Sequence, residues 1–448
     1  MEKSLLAAVS GIEANQTYLD VVGNNVANAN TTAYKAQSAD FTDLLAEQIS
    51  GASAPLPNGQ GAGINPIAVG SGVRIGSVSN DQSQGALVQT NVPTDVAIQG
   101  SGFLVAVQNG QTLYTRAGNL TLDANGNLAT QSGGLIQGWT ANAKGVVNSN
   151  APIGPVAIPA GTTMGAQPTA TFTLGGNLPV WSGTGTPPSD VTQTVNAYDA
   201  LGNSIPVTFT FSPLNTPANT ASNAGQWTMQ ASVPTPGSPG STTQLWSTPV
   251  PVVFDTSTGQ IKSINGTAVT AGSSTTVSVN TPSGYDFPAP APPATGSSQW
   301  NITFPATGGT SSVTQYAAPS TLSATPDGFA SGTLAGFSIG GDGVITGSFT
   351  NGKNLPVGQL AMAIFSNPGG LADQGSQMYA ASPNSGQANI GTPSTGGRGN
   401  LVGGSLESSN VDLASQLTDL IIAQEAYQAN TKVVSTTATN LQALTQMA

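Results

Sequence analysis

The spacing of hydrophobic residues changes along the chain, and the C-terminal part shows the clearest pattern. From Ser405 onward there is no Gly and no Pro, and the seam residues recur at alternating intervals of four and three. This spacing predicts a long helix with a heptad seam, and Ser409 followed by Asp412 predicts a capping box at its start. The predicted seam positions are Leu413, Leu417, Leu420, Gln424, Tyr427, Thr431, Val434, Ala438, Leu441 and Thr445.

A second, weaker heptad pattern lies near the N-terminus. Its polar gaps, like those of the C-terminal seam, reduce the apolar area that helix pairing buries, and a lone helix is marginal in water. We therefore expect the two helices to pair with each other and to become stable only beside neighbouring copies of the chain. The alternative interpretation is two core helices of one globular domain. The N-terminal seam positions are Leu5, Val9, Ile12, Leu19 and Val26, with Gln16 and Gly23 in the gaps.

Between these ends, hydrophobic residues alternate with polar ones, which is typical of strands with one buried face. The stretch 103–107 alternates in this way and precedes Asn109-Gly110, a sequence that favours a tight hairpin turn. Similar hairpins are predicted around 123–126 and 199–202. Most of the 31 prolines lie between residues 152 and 326, so long helices are confined to the two ends.

These patterns predict a mainly β fold with a terminal α-helical coiled coil, in which the helical termini pair and the domains are nested and discontinuous. If the two terminal helices pair, the first β-domain is built from segments on both sides of the middle region. The middle region is then a second β-domain inserted into a surface loop of the first. The predicted domains are a helical coiled-coil domain at 1–32 with 405–448, a linker region at 33–70 with 371–404, a first β-domain at 71–140 with 307–370, and an outer β-domain inserted at 141–306.

Composition excludes several classes of protein. The 448 residues include no Cys and no His, so zinc fingers, thiol redox centres, Cys nucleophiles and His general bases are excluded. Nine Lys and Arg residues against 20 Asp and Glu residues cannot form the basic stripe of a nucleic-acid binder. No apolar run is long enough for a membrane-spanning helix, and the N-terminus lacks the pattern of a secretory signal peptide.

Candidate sites for chemistry are weak. Asp123-x-Asn125-Gly126 lacks the third acidic ligand and the Glu of a calcium loop, so a hairpin turn is favoured. The glycines at 340–343 are likewise interpreted as a turn, and those at 59–63 lack the Lys and the context of a phosphate loop.

A glycoside hydrolase would need paired carboxylates. The middle region offers four aspartates beside turn residues, and it has only Lys262 as a basic partner for a nucleophile. We therefore predict no enzymatic activity, no cofactor and no metal. The four aspartates are Asp190, Asp199, Asp255 and Asp286.

Specific motifs lie at both ends of the chain. The stretch 19–35, LDVVGNNVANANTTAYK, resembles the N-terminal signature of the axial proteins of the bacterial flagellum, a family that covers rod, hook and hook-associated proteins. Residues 404–413 and 424–430 resemble its C-terminal signature, and 95–103 with 114–118 and 137–139 are similar to a β-domain of rod and hook proteins. The positions that match the terminal signatures are Asn24, Asn25, Asn28, Asn30, Thr31, Thr32, Tyr34, Lys35, Asn410, Asp412 and Asn430.

The resemblance implies a structural role. A large inserted β-domain favours a hook subunit, which would self-assemble into a flexible tubular universal joint and transmit torque from the basal-body rod to the filament. The implied partners are identical subunits, rod proteins, hook cap and hook–filament junction proteins, and the type III export apparatus, with no nucleic acid and no membrane insertion. The implied location is extracellular, in the hook and basal body of the flagellum, after export without a cleaved signal peptide.

Two departures and several alternatives remain open at this point. The family usually has Gly-Phe where this chain has Ala33-Tyr34, and Arg where it has Glu425. A rod or hook-associated protein is the nearest alternative function. A secreted β-rich adhesin would explain the Thr-, Ser- and Gly-rich middle but not the terminal heptads, and a hydrolase is the weakest alternative.

Overall fold

The computed structural model describes residues 2–52, 65–142, 145–159, 161–214, 223–238, 240–270, 272–282, 285, 287, 299–306 and 312–447. These residues are mainly β, with one long helix near each end, as predicted. The prediction on the glycines at 59–63 and that on Asp286 lie outside the described residues.

The helices are α1 (Glu2–Ala27) and α2 (Leu413–Met447). The strands are β1 (Gln37–Asp43), β2 (Glu47–Ser50), β3 (Ile67–Val69), β4 (Val73–Asn80), β5 (Leu87–Gln89), β6 (Val96–Gln99), β7 (Phe103–Gln108), β8 (Gln111–Thr115), β9 (Thr121–Leu122), β10 (Leu128–Ala129), β11 (Leu135–Thr140), β12 (Gly154–Pro155), β13 (Thr163–Met164), β14 (Thr171–Pro179), β15 (Val191–Tyr198), β16 (Ser204–Pro213), β17 (Gln226–Pro234), β18 (Thr242–Gln244), β19 (Val250–Phe254), β20 (Ile261–Ile264), β21 (Thr267–Ala268), β22 (Thr275–Asn280), β23 (Gln299–Phe304), β24 (Val313–Tyr316), β25 (Ser323–Pro326), β26 (Gly332–Ile339), β27 (Val344–Phe349), β28 (Asn354–Leu360), β29 (Met362–Ile364), β30 (Ala372–Asp373), β31 (Met378–Ala380), β32 (Asn389–Gly391), β33 (Asn400–Gly403) and β34 (Ser405–Glu407).

The chain divides into two compact units. The first unit comprises Met1–Ala160, Gly336–Ser348 and Asn354–Ala448, and the second comprises Gly161–Ala335 and Phe349–Lys353. The first unit therefore contains both helices.

The sheet of the first unit is built around β7, which pairs antiparallel with β8, β11 and β29. The turn between β7 and β8 is the predicted one, because Asn109 and Gly110 both have positive φ, 52° and 78°, as a type I′ turn requires. Aromatic side chains close the core on one face of this sheet, where Phe103, Tyr114 and Phe365 make edge-to-face contacts.

The second unit has two sheets that share one apolar core. One sheet has the order β15-β16-β17-β19-β20-β21, and the other has the order β22-β23-β14-β24. Phe172 of β14 contacts Phe209 of β16 edge to face, with 5.3 Å between ring centroids. β14 pairs parallel with β23 and β24, although these strands lie far from it in sequence.

Several predicted boundaries differ from the structure. β24 and β25, which fall in the predicted first β-domain, pair with β14 and belong to the second unit. The predicted linkers contain β1, β2 and β3 on one side and β30 to β33 on the other. Residues 405–407, predicted as part of the helical domain, form β34 because they pair with β5.

The start of α2 also corrects a prediction. The carboxylate of Asp412 accepts hydrogen bonds from the backbone N–H groups of Ala414 (2.9 Å) and Ser415 (3.4 Å), so Asp412 is the N-cap. The Ser409 hydroxyl accepts a bond from the Val411 N–H instead, at 3.3 Å. The predicted capping box is therefore wrong, and the helix begins after Asp412.

Candidate functional site

The two terminal helices pack against each other in antiparallel directions. Near the end of α1, Asn25 donates a hydrogen bond to the Gln416 side chain near the start of α2, at 2.8 Å. Further along, Gly11 faces Asn430 so closely that a Cβ at Gly11 would lie 2.8 Å from the Asn430 amide nitrogen. The helices can approach this far because small side chains line the contact.

Burial along the two helices does not follow the predicted heptad register. The buried apolar positions include Ala8, Ala14 and Val22 on α1 and Ala423 on α2. Counting large apolar residues misses these positions, because most of them are alanines, which bury little area themselves but let neighbouring backbones approach closely. Among the predicted seam residues, Val9, Leu413, Leu417 and Leu441 are exposed, and Leu5, Ile12, Leu19, Val26, Leu420, Tyr427 and Val434 are half-buried.

The signature residue Asn25 fixes the place where the chain leaves α1. Its side chain is fully buried, and its amide oxygen accepts from the Gln37 N–H (2.8 Å) and the Tyr34 hydroxyl (3.2 Å). Its amide nitrogen donates to the Gln37 carbonyl (2.7 Å) as well as to Gln416. An Asn side chain can make these four bonds, and no isosteric residue offers the same two donors and two acceptors.

Asn410 holds the segment that leads into α2. Its amide oxygen accepts from the Ala36 N–H at 2.7 Å, and its nitrogen donates to the Asp81 carbonyl at 2.9 Å and the Ser83 hydroxyl at 3.0 Å. One side chain from the C-terminal signature therefore binds two segments from the N-terminal part of the chain.

Three buried charges lie beside these asparagines. Lys35 Nζ is 2.8 Å from Glu407 Oε1, and Arg116 Nε is 3.1 Å from Glu407 Oε2. The side chains of Lys35 and Glu407 are fully buried, and the Arg116 guanidinium also donates to the carbonyls of Gly100 and Gly102. We call Asn25, Lys35, Arg116, Glu407 and Asn410 the junction.

Three of the five junction residues belong to the positions that match the terminal signatures, and the other two do not. Asn25, Lys35 and Asn410 were assigned from the terminal signatures. Arg116 and Glu407 lie inside motifs that resemble the family, but neither received a role. A usable signal was present for Arg116, because charges are rare in this chain and Arg116 directly follows a strand-like stretch, where a buried charge needs a partner. Glu407 stands among polar residues and glycines, so no local pattern marked it.

The charges of the junction shift one another's protonation. Burial alone would raise the pKa of Glu407, but the Arg116 charge and the hydrogen bond from Lys35 outweigh burial and hold that pKa below its usual value. Burial lowers the pKa of Lys35, and the bond to Glu407 offsets this only in part because Arg116 is also near.

The lowered pKa of Glu407 predicts acid sensitivity of the first unit. A carboxylate with a depressed folded pKa contributes stability above its unfolded pKa, about 4.3, and this stability is lost as pH falls through the folded value. We expect hydrogen exchange of backbone amides near the junction to accelerate as pH falls below about 4, after correction for intrinsic exchange. If the exchange rate of a Glu407→Gln variant rises as much over the same pH range, Glu407 is not the group responsible for the acid sensitivity.

The other signature residues have local or exposed roles. Asn28 donates to the backbone carbonyl and the side chain of Asn24, and Thr31 donates to Asn28. Asn30 is exposed, and Thr32 is half-buried. Asp412 caps α2, and Asn430 lies against Gly11, as described above.

The two departures from the family have different structural meanings. Ala33 is buried with φ of +57°, a conformation that favours glycine, and its N–H donates to the Glu407 carbonyl at 2.8 Å. Glu425 is exposed on α2.

Replacing Ala33 by glycine should stabilise the first unit by roughly 0.5–1 kcal/mol. Relief of the left-handed strain outweighs the greater freedom of glycine in the unfolded chain. Thermal or urea unfolding measures the change. Ala36→Gly is the matched control, since Ala36 has no positive φ and should lose stability; equal effects of both substitutions would contradict the explanation.

The aspartates considered for chemistry are held in turns or lie exposed. Asp123 accepts from the N–H groups of Asn125 and Asn127 and from the Asn127 side chain, so the predicted hairpin turn is confirmed. Asp199 and Asp255 make similar bonds at their own turns, and Asp190 is exposed. Across the described ranges, no group of three or more acidic residues could hold a metal ion.

No helix among the described residues is long and apolar enough to cross a membrane.

Four protein-family models match the chain. Residues 5–35 match "Flagella basal body rod protein", and residues 97–170 match "Flagellar hook protein FlgE/F/G D1 domain". Residues 184–329 match "Flagellar basal body protein FlaE D2 domain", and residues 402–447 match "Flagellar basal body rod FlgEFG protein C-terminal". The match over residues 184–329 extends past residue 306, the predicted end of the inserted domain, and includes β25.

Relatives align with the chain over nearly its whole length. The flagellar hook protein FlgE of Treponema pallidum is 36% identical over 98% of each chain, and that of Borreliella burgdorferi is 34% identical over 100% of each chain. The FlgE of Salmonella typhimurium is 30% identical over 97% of each chain. A crystal structure of Helicobacter pylori flagellar hook protein FlgE2 is 15% identical and covers 72% of this chain and 100% of its own, with a TM-score of 0.48. From the full-length relatives, the chain belongs to the flagellar hook protein FlgE family.

Proposed function

We propose that the chain is the structural subunit of a bacterial flagellar hook. In this role it self-assembles into a flexible tube, which acts as a universal joint and transmits torque from the basal-body rod to the filament. The observation that carries the proposal is a row of apolar side chains on α2 that the described residues leave about half exposed.

This row is large for a soluble helix. Leu413, Leu417 and Ile421 follow one another at intervals of four residues, which places them along one face of α2, and each is 45–58% exposed. Covering the remaining surface of such side chains contributes about 1 kcal/mol each. An exposed apolar row of this kind marks an interaction surface, and in a polymer of identical subunits the covering surface is another copy.

The nested arrangement of domains that the sequence predicts is part of this proposal. The terminal helices would form the inner tube, the first β-domain the next layer, and the inserted β-domain the outer layer. The sequence order of the two units supports this, because segments of the first unit precede and follow those of the second. The junction supports this arrangement, because Asn25 and Asn410 hold the segment that follows α1 close to the segment that precedes α2.

The partners and the location follow from this role. Besides identical subunits, we infer contacts with rod proteins, hook cap and hook–filament junction proteins, and passage through the type III export apparatus without a cleaved signal peptide to an extracellular site. The absence of Cys from the 448 residues suits a chain that folds only after export, because no disulfide has to form.

A double substitution on α2 tests the proposal. We expect Leu413→Ser with Leu417→Ser to prevent the formation of sedimentable tubes and to abolish swimming when the variant replaces the wild-type chain in cells. The monomer should keep its β structure by circular dichroism, because neither side chain lies in a core.

Leu201→Ser is the matched control, since Leu201 is 73% exposed at a turn of the second unit. That variant should assemble normally. Tubes formed by the α2 variant at the wild-type protein concentration would show that this face is not a subunit contact.

A further inference from the structure

A polar cleft lies beside the point where the chain leaves α1. Its volume is about 160 Å³. Asn24, Asn80, Asp373, Ser376, Gln377 and Tyr379 line it, and we call it the amide cleft. All six residues belong to the first unit.

Tyr379 places a hydroxyl group at this cleft. The residue is only 4% exposed, and its ring packs edge to face on Phe103 with 5.9 Å between centroids. Its hydroxyl makes no hydrogen bond with another described residue. Burial and the nearby Asp373 raise the pKa of Tyr379 to about 12, so the hydroxyl stays protonated and can donate a hydrogen bond to an acceptor.

The loop that carries two other lining residues is strained. Gly375, Ser376 and Gln377 have consecutive positive φ angles of 80°, 53° and 57°. Ser and Gln adopt this conformation at an energetic cost, and such strain concentrates at binding and switch regions. Ser376 is exposed and Gln377 half-buried, and neither side chain hydrogen-bonds to another residue in the described part of the chain, so both are open to a ligand.

The lining selects an uncharged polar occupant. Amides and hydroxyls offer both donors and acceptors, which match peptide groups and the side chains of Ser, Thr, Asn and Gln. Lys35 also lines the cleft, but its ammonium group is bound to Glu407. An anion would therefore meet no available cation, and it would meet the Asp373 carboxylate.

We propose that the amide cleft binds an uncharged polar segment of a second copy of the chain within the assembled tube. This inference rests on the proposed function, which places identical copies side by side. The chain supplies suitable segments, because only 29 of its 448 residues are charged and much of its loop sequence is Ser, Thr, Asn and Gln. The occupant would accept a hydrogen bond from the Tyr379 hydroxyl and form hydrogen bonds with the Gln377 and Asn80 amides.

Removal of the single hydroxyl tests the cleft. In Tyr379→Phe we expect the protein concentration needed for assembly to rise about three- to tenfold, the effect of one lost hydrogen bond, with no loss of monomer thermal stability. Tyr114→Phe is the matched control, because Tyr114 is a buried ring of the same core cluster that does not line the cleft. That control should assemble at the wild-type concentration.

A photo-crosslinker at Gln377 gives a second, independent measurement. We expect it to join two copies in assembled tubes but not in dilute monomer, and the crosslinked peptide of the second copy should be uncharged and polar. If Tyr379→Phe assembles like the wild type, or tubes yield no crosslink between copies at Gln377, the amide cleft is not a subunit contact, and the proposed function still stands. If the unmodified chain forms no tubes in cells, both proposals are overturned.

Discussion

Glu407→Gln should destabilise the first unit by about 3–5 kcal/mol, because it leaves the buried charges of Lys35 and Arg116 without their common partner. The amide keeps the shape of the side chain, so loss of packing does not contribute. Hydrogen exchange followed by mass spectrometry separates the units. We expect faster exchange at the junction and unchanged exchange in the second unit, whose core shares no residue with it.

Two further variants make this prediction specific. Glu425→Gln removes a carboxylate from an exposed position of α2 and should change stability by less than about 0.5 kcal/mol. Replacing Lys35 and Arg116 by Met together with Glu407→Leu should cost less than Glu407→Gln alone, since no charge stays buried. A loss below about 1 kcal/mol for Glu407→Gln would show that the remaining charges reach water.

Gly118→Ala should have an effect of similar size for a steric reason. A Cβ at this buried position would lie 1.5 Å from the carbonyl oxygen of Val96, and the Val96 N–H already bonds to the Gly118 carbonyl at 2.9 Å. The two backbone segments must separate to admit the methyl group, which we expect to cost about 3 kcal/mol or more. Denaturant unfolding of the variant measures the loss.

Gly154→Ala is the control for Gly118→Ala. Gly154 has a negative φ and no atom within 4 Å of the site a Cβ would occupy, so its stability should change by less than about 0.5 kcal/mol. A small effect at Gly118 would mean that β6 shifts easily and that the close approach has no structural importance.

Local sequence patterns predicted local structure well in this chain. The Asn109-Gly110 turn needs positive φ at both residues, and few residue pairs other than Asn-Gly supply it, so the sequence determines the turn. The helices at both ends follow in the same way from the distribution of proline. The heptad pattern, by contrast, predicts a seam on leucines such as Leu413 and Leu417, which are exposed in the single chain, whereas Gly11 is the position that faces Asn430 of α2.

Long-range structure could not be predicted from one sequence. Lys35 and Glu407 are 372 residues apart, and no local pattern shows that they meet. The parallel pairing of β14 with β23 and β24 is equally remote, and it moved the boundary of the second unit past the predicted residue 306. The cleft at Tyr379 likewise depends on loop geometry that the residue types alone do not reveal.

The ion pair between Lys35 and Glu407 also means that the first unit can fold fully only in a chain that contains both residues. A polypeptide truncated before Glu407 would have to bury a lone ammonium group, or else leave its first strands open to water. Only a chain that extends past Glu407 can therefore complete the region that lies between the end of α1 and the start of α2. This arrangement would keep fragments out of an assembly without any separate inspecting protein, since a broken copy never acquires the surface that its neighbours recognise.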